Sequence, residues 1–311
     1  MVFFPLVPNS EGFAVNKTNW SGRSTGSTLG NRIFMEIIRR VGPWPAYALL
    51  LFVSSFYAAT KPNLRAIIRE FRRHLGLETA PIHYALHFFS FGMNLIDGLA
   101  FLKRGPTRYR FTCIGEDKLS EALSRKKGLI LLSAHVGNWE IAGNLLFDHL
   151  NTRVNLVMFD NERVAIKRVH EDAMSNRRIN IISLSQDSLQ VMIQVKQALR
   201  DNEIVCFLGD RILDGQPNEQ VTFFNDTAKF PRGPFAVAAA TEAPIVPVFT
   251  LRKGPLHYVH RAEEIVSLEG VSRAERPEKL RRAVERYVGV LEETVRRHPY
   301  QWYNFFHFWG T

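Results

Sequence analysis

The chain has 311 residues, of which 46% are hydrophobic, and its 40 basic and 30 acidic side chains give a formal net charge of +10. This length suits one α/β domain with an appended region, and the apolar content is enough for a sizeable core. Two cysteines, Cys113 and Cys206, are too few for a disulfide framework or a Cys-rich zinc site. The basic residues form short scattered runs without a nucleic-acid motif between them, so they indicate an anionic membrane or a phosphate-bearing partner rather than nucleic acid.

The N-terminal third has two predicted parts. Residues 1–30 are rich in Ser, Gly, Asn and Thr, which predicts a flexible tail. No residue from 42 to 60 is charged, and the helical part of this stretch, about Pro45 to Thr60, would rise roughly 24 Å, which is marginal for a bilayer core of about 30 Å. A helix in or on a membrane and a buried core helix are the two alternatives. Residues 64–77 combine helical apolar spacing with an Arg-rich face, typical of a helix on anionic lipid and equally of a solvated one. We therefore expect residues 31–104 to form a helical membrane-associating region.

Strands and helices are predicted to alternate in the rest of the chain. The predicted strands are 129–134, 154–159, 180–184, 204–209, 245–251 and 257–262, and the predicted helices are 139–150, 163–176, 188–201, 233–242 and 276–297. This alternation predicts an α/β fold with a mixed, mostly parallel central sheet flanked by helices. Functional sites of such folds gather beyond the carboxyl ends of the strands.

The stretch LILLSAHVGNWEIAG, residues 129–143, places a histidine at the end of a predicted buried strand. After His135, Gly137 permits a sharp turn and Asn138 is a good N-cap for the next helix. Glu140 then falls in the first helical turn, where the helix dipole favours a carboxylate. The turn can bring Glu140 back to one imidazole nitrogen, which leaves the other nitrogen as a free base. From the residues alone, two metal ligands or a simple cap beside a strand-end histidine remain possible.

The segment SAHVGNWE resembles the His-x4-Asp/Glu signature of the lysophospholipid acyltransferase superfamily, in particular its branch of lipid A late (lauroyl/myristoyl) acyltransferases. Val136 stands where that branch has an aromatic residue. Four further segments resemble the branch in the same order: FLGDR (207–211), VTFFNDTAKFPRGP (221–234), TEAPIVPVF (241–249) and HPYQWYNFFHFW (298–309). Asn225 replaces the usual glycine, and because Asn best tolerates a left-handed backbone, we expect that turn to survive. The chain is thus identified as a divergent member.

The resemblance implies that residues 105–311 form an acyltransferase domain at the cytoplasmic face of a bacterial inner membrane. Such an enzyme moves a fatty acyl chain from an acyl carrier protein (ACP) or coenzyme A (CoA) thioester to a hydroxyl or amine of a lipid acceptor. His135 would be the general base and Glu140 its orienting carboxylate. The thioester is a co-substrate, so the resemblance implies no bound cofactor or metal and no nucleic-acid partner. An interfacial thioester or lipid hydrolase and a non-catalytic lipid-binding membrane protein are the alternatives.

Three further residues are candidates for contact with the substrates. Backbone N–H groups at the helix start near Asn138 could stabilise an oxyanion. Arg211 could serve the oxyanion or a donor phosphate, and Asp210 could hold Arg211 in place. A local surface ion pair between Asp210 and Arg211 is the alternative.

The remaining candidates belong to other parts of the chain. Phe224 and Gly233 are expected to shape the acyl or acceptor crevice, unless the phenylalanine packs in the core. Arg177 and Arg178 are weaker candidates for phosphate contact, and a solvated pair is the simpler interpretation.

Overall fold

A computed structural model describes residues 28–104, 108–139, 141–142, 152–158, 179–184, 188–212 and 215–309. Its helices are α1 Thr28–Arg40, α2 Pro43–Thr60, α3 Pro62–His74, α4 Pro81–Arg104, α5 Glu116–Ser124, α6 Ser188–Arg200, α7 Gly233–Thr241 and α8 Arg276–Arg297. Its strands are β1 Arg110–Ile114, β2 Leu129–Ser133, β3 Val154–Met158, β4 Ile179–Ser183, β5 Ile204–Leu208, β6 Asn218–Phe223, β7 Asp226–Pro231, β8 Ile245–Gly254 and β9 His257–Ala262. The predicted helix at 163–176 and all but three residues of the predicted helix at 139–150 lie outside the described residues. Of the predicted flexible tail, 1–30, residues up to 27 also lie outside them, whereas residues 28–30 begin α1, which corrects the predicted end of the tail.

Among the described residues, seven strands form one sheet in the order β1-β9-β8-β2-β5-β3-β4. The five strands from β8 to β4 are mutually parallel, whereas β9 is antiparallel to β8 and parallel to β1. The predicted α/β fold with a mixed, mostly parallel sheet is therefore confirmed. Strand β1 escaped prediction because it is an edge strand that alternates exposed and half-buried residues, without an apolar run.

Strand β2 occupies the middle of the sheet and is buried on both faces. Ile130 and Leu132 pack in the core formed with α6, α7 and α8, while Leu129 and Leu131 pack on the opposite face with α5. A strand covered on both faces reads as a continuous apolar run, which is why the sequence predicted it well.

The β6–β7 hairpin, which the sequence analysis did not predict, turns through two residues in the left-handed region. Phe224 has φ 52° and Asn225 has φ 63°, as a two-residue hairpin turn of this kind requires. The prediction that the turn survives with Asn at position 225 is confirmed. A bulky residue rarely adopts this conformation. The Phe224 ring packs against Phe71 and Trp309, and its N–H donates to Glu292 Oε2 at 2.8 Å, so these contacts hold the turn.

Helix α2 has one buried and one exposed apolar face. Ala46, Tyr47 and Leu50 are buried, and α2 packs against α4, whereas Trp44 and Phe52 on the other face are 57% and 76% exposed. Within the part of the chain that the structure describes, no helix combines the length and hydropathy needed to cross a bilayer. The association of α2 with a membrane surface stays a prediction.

The apolar side of α3 faces the protein interior. Leu64, Ile67 and Ile68 are buried among the N-terminal helices, and Arg69 and Arg73 are exposed. The structure thus favours an ordinary helix with a solvated basic face over a helix that inserts its apolar side into lipid.

Candidate active site

His135 and Asp210 meet because two parallel strands end side by side. Strand β2 pairs with β5 so that Ser133, the last residue of β2, lies opposite Leu208, the last residue of β5. His135 and Asp210 each follow two residues beyond these ends, and they therefore lie opposite one another. The side chain of His135 is only 7% exposed, and that of Asp210 is 2% exposed.

The Asp210 carboxylate accepts three hydrogen bonds. Its Oδ1 accepts from His135 Nδ1 at 2.7 Å, and its Oδ2 accepts from the His135 backbone N–H at 2.9 Å and from Trp302 Nε1 at 3.0 Å. Burial raises the pKa of Asp210, but His135, the Arg211 charge and the Trp302 N–H outweigh burial and lower it to about 2. An ionised carboxylate holds the proton on Nδ1, so Nε2 is the nitrogen that can act as a base.

The sequence analysis gave the orienting role to Glu140 and expected Asp210 to hold Arg211. The role of Asp210 is corrected, because both of its oxygens bind His135. Strand register creates this contact, and it joins residues 75 positions apart in sequence. Glu140 lies outside the described residues, so its role stays a prediction.

Asn138 is buried, and its polar groups are used within the protein. Its Oδ1 caps the next helix by accepting from the Ile141 N–H at 3.1 Å, as predicted for an N-cap. Its Nδ2 donates to the Asn94 carbonyl at 3.0 Å, and its backbone N–H donates to the Thr250 carbonyl at 2.7 Å. The predicted contact of Asn138 with substrate is therefore replaced by a structural role.

The turn at Gly137 requires glycine. Its φ is 64°, and an added Cβ would lie 2.1 Å from the Thr250 carbonyl oxygen. The Gly137 N–H donates to the Gln301 carbonyl at 2.8 Å. The amides of Gly137 and Asn138 thus bind backbone carbonyls and are not oxyanion donors. The contribution of later N–H groups of this helix start stays a prediction.

The other predicted site residues have different locations. Phe224 is buried in the aromatic core, so the core alternative replaces its predicted place in a crevice. Gly233 is exposed at the start of α7, and Arg211 lies near the pair, where its Nη2 donates to the Tyr303 carbonyl at 3.4 Å. Contacts of Gly233 and Arg211 with substrate stay predictions. Arg177 and Arg178 lie outside the described residues.

Sequence reasoning missed the contact made by the closing segment, residues 298–309. Val136 and Trp302 form an antiparallel bridge, and the Tyr303 N–H donates to the His135 carbonyl at 2.8 Å. The family resemblance singled out this segment as a block, but a single sequence carries no signal for which carboxylate an indole N–H binds.

Acid is expected to destabilise the protein through His87. This residue is fully buried on α4, and its Nε2–H donates to the Trp302 carbonyl at 3.0 Å. Burial lowers the pKa of His87 from 6.5 to about 4; the bond to Trp302 opposes this effect and the Arg72 charge reinforces it. Because the unfolded chain binds more protons between these values, this stability is complete above about pH 6.5 and is lost as the pH falls to about 4. It amounts to at most about 3 kcal/mol.

The measurement is the urea midpoint at several pH values in this window, for the wild type and for His87→Gln, whose amide can still donate to the Trp302 carbonyl. The wild-type midpoint should fall more steeply. His257 and His298, whose pKa values are also lowered by burial, contribute equally to both proteins. Equal slopes would contradict the prediction.

The structure is thus an α/β protein in which a buried histidine and a carboxylate meet at the carboxyl ends of adjacent parallel strands, where the sites of such folds gather. Residues 82–311 match the family described as bacterial lipid A biosynthesis acyltransferase. The chain belongs to this family, and the resemblance found in the sequence is confirmed.

Curated relatives of the chain are phosphatidylinositol mannoside acyltransferases. The Mycobacterium tuberculosis protein is 27% identical over 136 residues, which are 43% of this chain and 42% of that protein. The Mycolicibacterium smegmatis protein is 26% identical over 153 residues, which are 48% of this chain and 49% of that protein. The chain therefore spans less than half the length of these relatives. Among solved structures, the 1-acyl-sn-glycerophosphate acyltransferase PlsC of Thermotoga maritima is 18% identical, with a TM-score of 0.33 over 78% of this chain and 95% of that one.

Proposed function

We propose that the protein transfers a fatty acyl chain from an ACP or CoA thioester to a hydroxyl or amine of a membrane lipid. The observation that supports this function is the buried His135–Asp210 pair. The chain that contains this pair belongs to a family of lipid A biosynthesis acyltransferases. A base whose tautomer is held by a carboxylate suits the deprotonation of an acceptor as it attacks a carbonyl.

In the proposed reaction, His135 Nε2 takes the proton of the acceptor hydroxyl or amine as that group attacks the thioester carbonyl. The bond from acceptor to acyl carbon forms, the carbon–sulfur bond breaks, and the leaving thiolate takes the proton from the imidazolium. Asp210 stabilises the imidazolium between these steps. Arg211, whose positive charge is close enough to lower the pKa of Asp210, is the candidate for stabilising the oxyanion or a donor phosphate.

The acceptor is proposed to be a lipid that carries sugar hydroxyls. The relatives are named as acyltransferases of phosphatidylinositol mannoside, and the family is described as acting in lipid A biosynthesis. These two kinds of lipid are the first to test as acceptors, and the choice between ACP and CoA as donor carrier is open to the same assay.

We further propose that α2 rests on the lipid surface at the cytoplasmic face of the inner membrane. Its exposed face includes Trp44, Leu51, Phe52 and Phe56, and α2 contains no charged residue. Exposed apolar patches of this kind mark interaction surfaces, and aromatic residues suit the membrane interface. Placing α2 there would bring the enzyme to its acceptor.

The assay that tests the function compares consumption of radiolabelled acyl-ACP and acyl-CoA on vesicles with and without acceptor lipid. We expect thiol release to depend on the acceptor and to equal the labelled acyl chain recovered in lipid, because the acceptor is the nucleophile. Thiol release at the same rate without acceptor would show a hydrolase. No release with either donor and either acceptor would contradict the proposed activity.

A further inference from the structure

We propose that Trp302 is a positioning residue for the catalytic pair: its indole N–H holds the Asp210 carboxylate in the orientation that keeps the proton on His135 Nδ1. The inference rests on the proposed function of His135 as the base. It gives the closing segment a role in the reaction.

The two carboxylate oxygens of Asp210 accept hydrogen bonds from different donors. Oδ2 accepts from Trp302 Nε1 at 3.0 Å and from the His135 backbone N–H at 2.9 Å. Oδ1 is then directed at Nδ1 of the imidazole, 2.7 Å away. Two fixed donors on Oδ2 oppose rotation of the carboxylate, so Trp302 helps to keep Oδ1 directed at His135 Nδ1.

The indole is itself held on all sides. Trp302 is 0% exposed, and the rings of Phe71, Phe223 and Phe308 pack edge-on against it with centroids 5.1, 5.5 and 5.0 Å away. Its carbonyl accepts from His87 Nε2 at 3.0 Å. Burial, the three ring contacts and the bonded carbonyl together restrain the indole, so its N–H is directed at Asp210.

The flanking residues tie the backbone of Trp302 to the end of β2. The Gly137 N–H donates to the Gln301 carbonyl and the Tyr303 N–H donates to the His135 carbonyl, both at 2.8 Å. The Gln301 side chain also bonds the N–H and carbonyl of Arg252 on β8, at 2.8 and 2.9 Å. The segment is therefore fixed to the same backbone that carries His135.

Among the described residues, the charged or titratable groups beside the pair keep one state near neutral pH. Arg211 carries a permanent charge. Burial raises the pKa of Tyr287 on α8 well above its usual value, and its hydroxyl donates to the Ser133 carbonyl at 2.8 Å. Neither group therefore contributes to a change in the pH dependence of the variant.

The test compares Trp302→Phe with Trp309→Phe. Trp309 belongs to the same aromatic cluster and is also buried, but its Nε1 donates to the Phe223 carbonyl at 3.0 Å. Both variants lose one buried indole N–H bond and should lose stability. Only Trp302→Phe should lower kcat, by about 10- to 100-fold, because it removes a hydrogen bond to a charged group of the site. The KM for the thioester should change less than about threefold.

Two further readouts separate positioning from folding. In Trp302→Phe the acidic limb of the kcat profile should move to lower pH, because a carboxylate that no longer points at Nδ1 stabilises the imidazolium less. In ¹⁵N-histidine NMR without substrate, His135 should change from one tautomer, protonated on Nδ1, to a mixture. If Trp302→Phe does not fold, benzothienylalanine at position 302 replaces the N–H by sulfur in a ring of the same shape.

Equal loss of kcat in Trp302→Phe and Trp309→Phe, or an unchanged tautomer and acidic limb in Trp302→Phe, would overturn the proposal. The NMR measurement needs no activity. A wild-type protein that transfers no acyl chain would therefore overturn the proposed function, while the tautomer still decides the role of Trp302.

Discussion

Asp210→Asn is expected to lower kcat for acyl transfer roughly 10³- to 10⁴-fold, because it reverses the tautomer of His135. The two N–H donors on Oδ2, from the His135 backbone and Trp302, will hold the asparagine oxygen on their side. The new NH₂ group then faces Nδ1, which must accept a hydrogen bond. The proton moves to Nε2, and the imidazole loses the lone pair that takes the acceptor proton.

The measurement is the rate of acyl transfer, with His135→Gln as the reference for loss of the base. Asp226→Asn is the matched control, because Asp226 also bonds a histidine, His74 at 3.3 Å, but on an exposed part of the β6–β7 hairpin. That control should keep wild-type activity. The same assay on Glu140→Gln tests the predicted orienting role of Glu140. Wild-type activity in Asp210→Asn would contradict the proposal that Asp210 keeps the proton on Nδ1 and leaves Nε2 of His135 as the base.

Asp97→Ala is expected to cost about 3–5 kcal/mol of unfolding free energy, because it breaks a buried ion pair and leaves the charge of its partner inside the protein. Asp97 on α4 is 0% exposed and pairs with Arg252 on β8, whose side chain is 12% exposed. The hydroxyls of Tyr47 on α2 and Tyr258 on β9 also donate to this carboxylate. One side chain therefore links two N-terminal helices to two strands of the sheet.

Urea unfolding of Asp97→Ala checks this prediction, and Glu293→Gln is its control. Glu293 also pairs with an arginine, Arg297, but on the exposed face of α8, where a single ion pair contributes little, so its midpoint should not change. The double variant Asp97→Leu with Arg252→Met should lose less than the sum of its single variants, since it buries no unpaired charge. An Asp97→Ala midpoint equal to that of the wild type would contradict a structural role for this pair.

Local patterns in the sequence predicted those parts of the site that depend on neighbouring residues. A continuous apolar run predicted β2, the residues after it predicted a tight turn, and Asn138 was expected to cap the helix. Asn225 was expected to adopt a left-handed backbone, and it does. Each of these features is decided within a few residues of chain, by side-chain size, backbone freedom and hydrogen-bonding groups.

Contacts between distant segments could not be derived in this way. The sequence analysis paired Asp210 with its neighbour Arg211. Its contact with His135 depends on the register between β2 and β5, which is a property of the assembled sheet. Trp302 belongs to the closing segment that resembles the family. Its bond to Asp210, however, requires residues 135, 210 and 302 to meet in space. Phe224 could have lined a crevice or filled the core, and only packing against Phe71 and Trp309 decided between them.

The sequence by itself determined the fold class, the family and the histidine that stands at a strand end, because periodicity and short motifs are local. The tertiary structure alone showed that Asp210 bonds His135, that the amides of residues 137 and 138 are already occupied, and that the Trp302 indole bonds the same carboxylate. These depend on strand register and on the return of the closing segment to the end of β2, and both follow from packing of the whole chain.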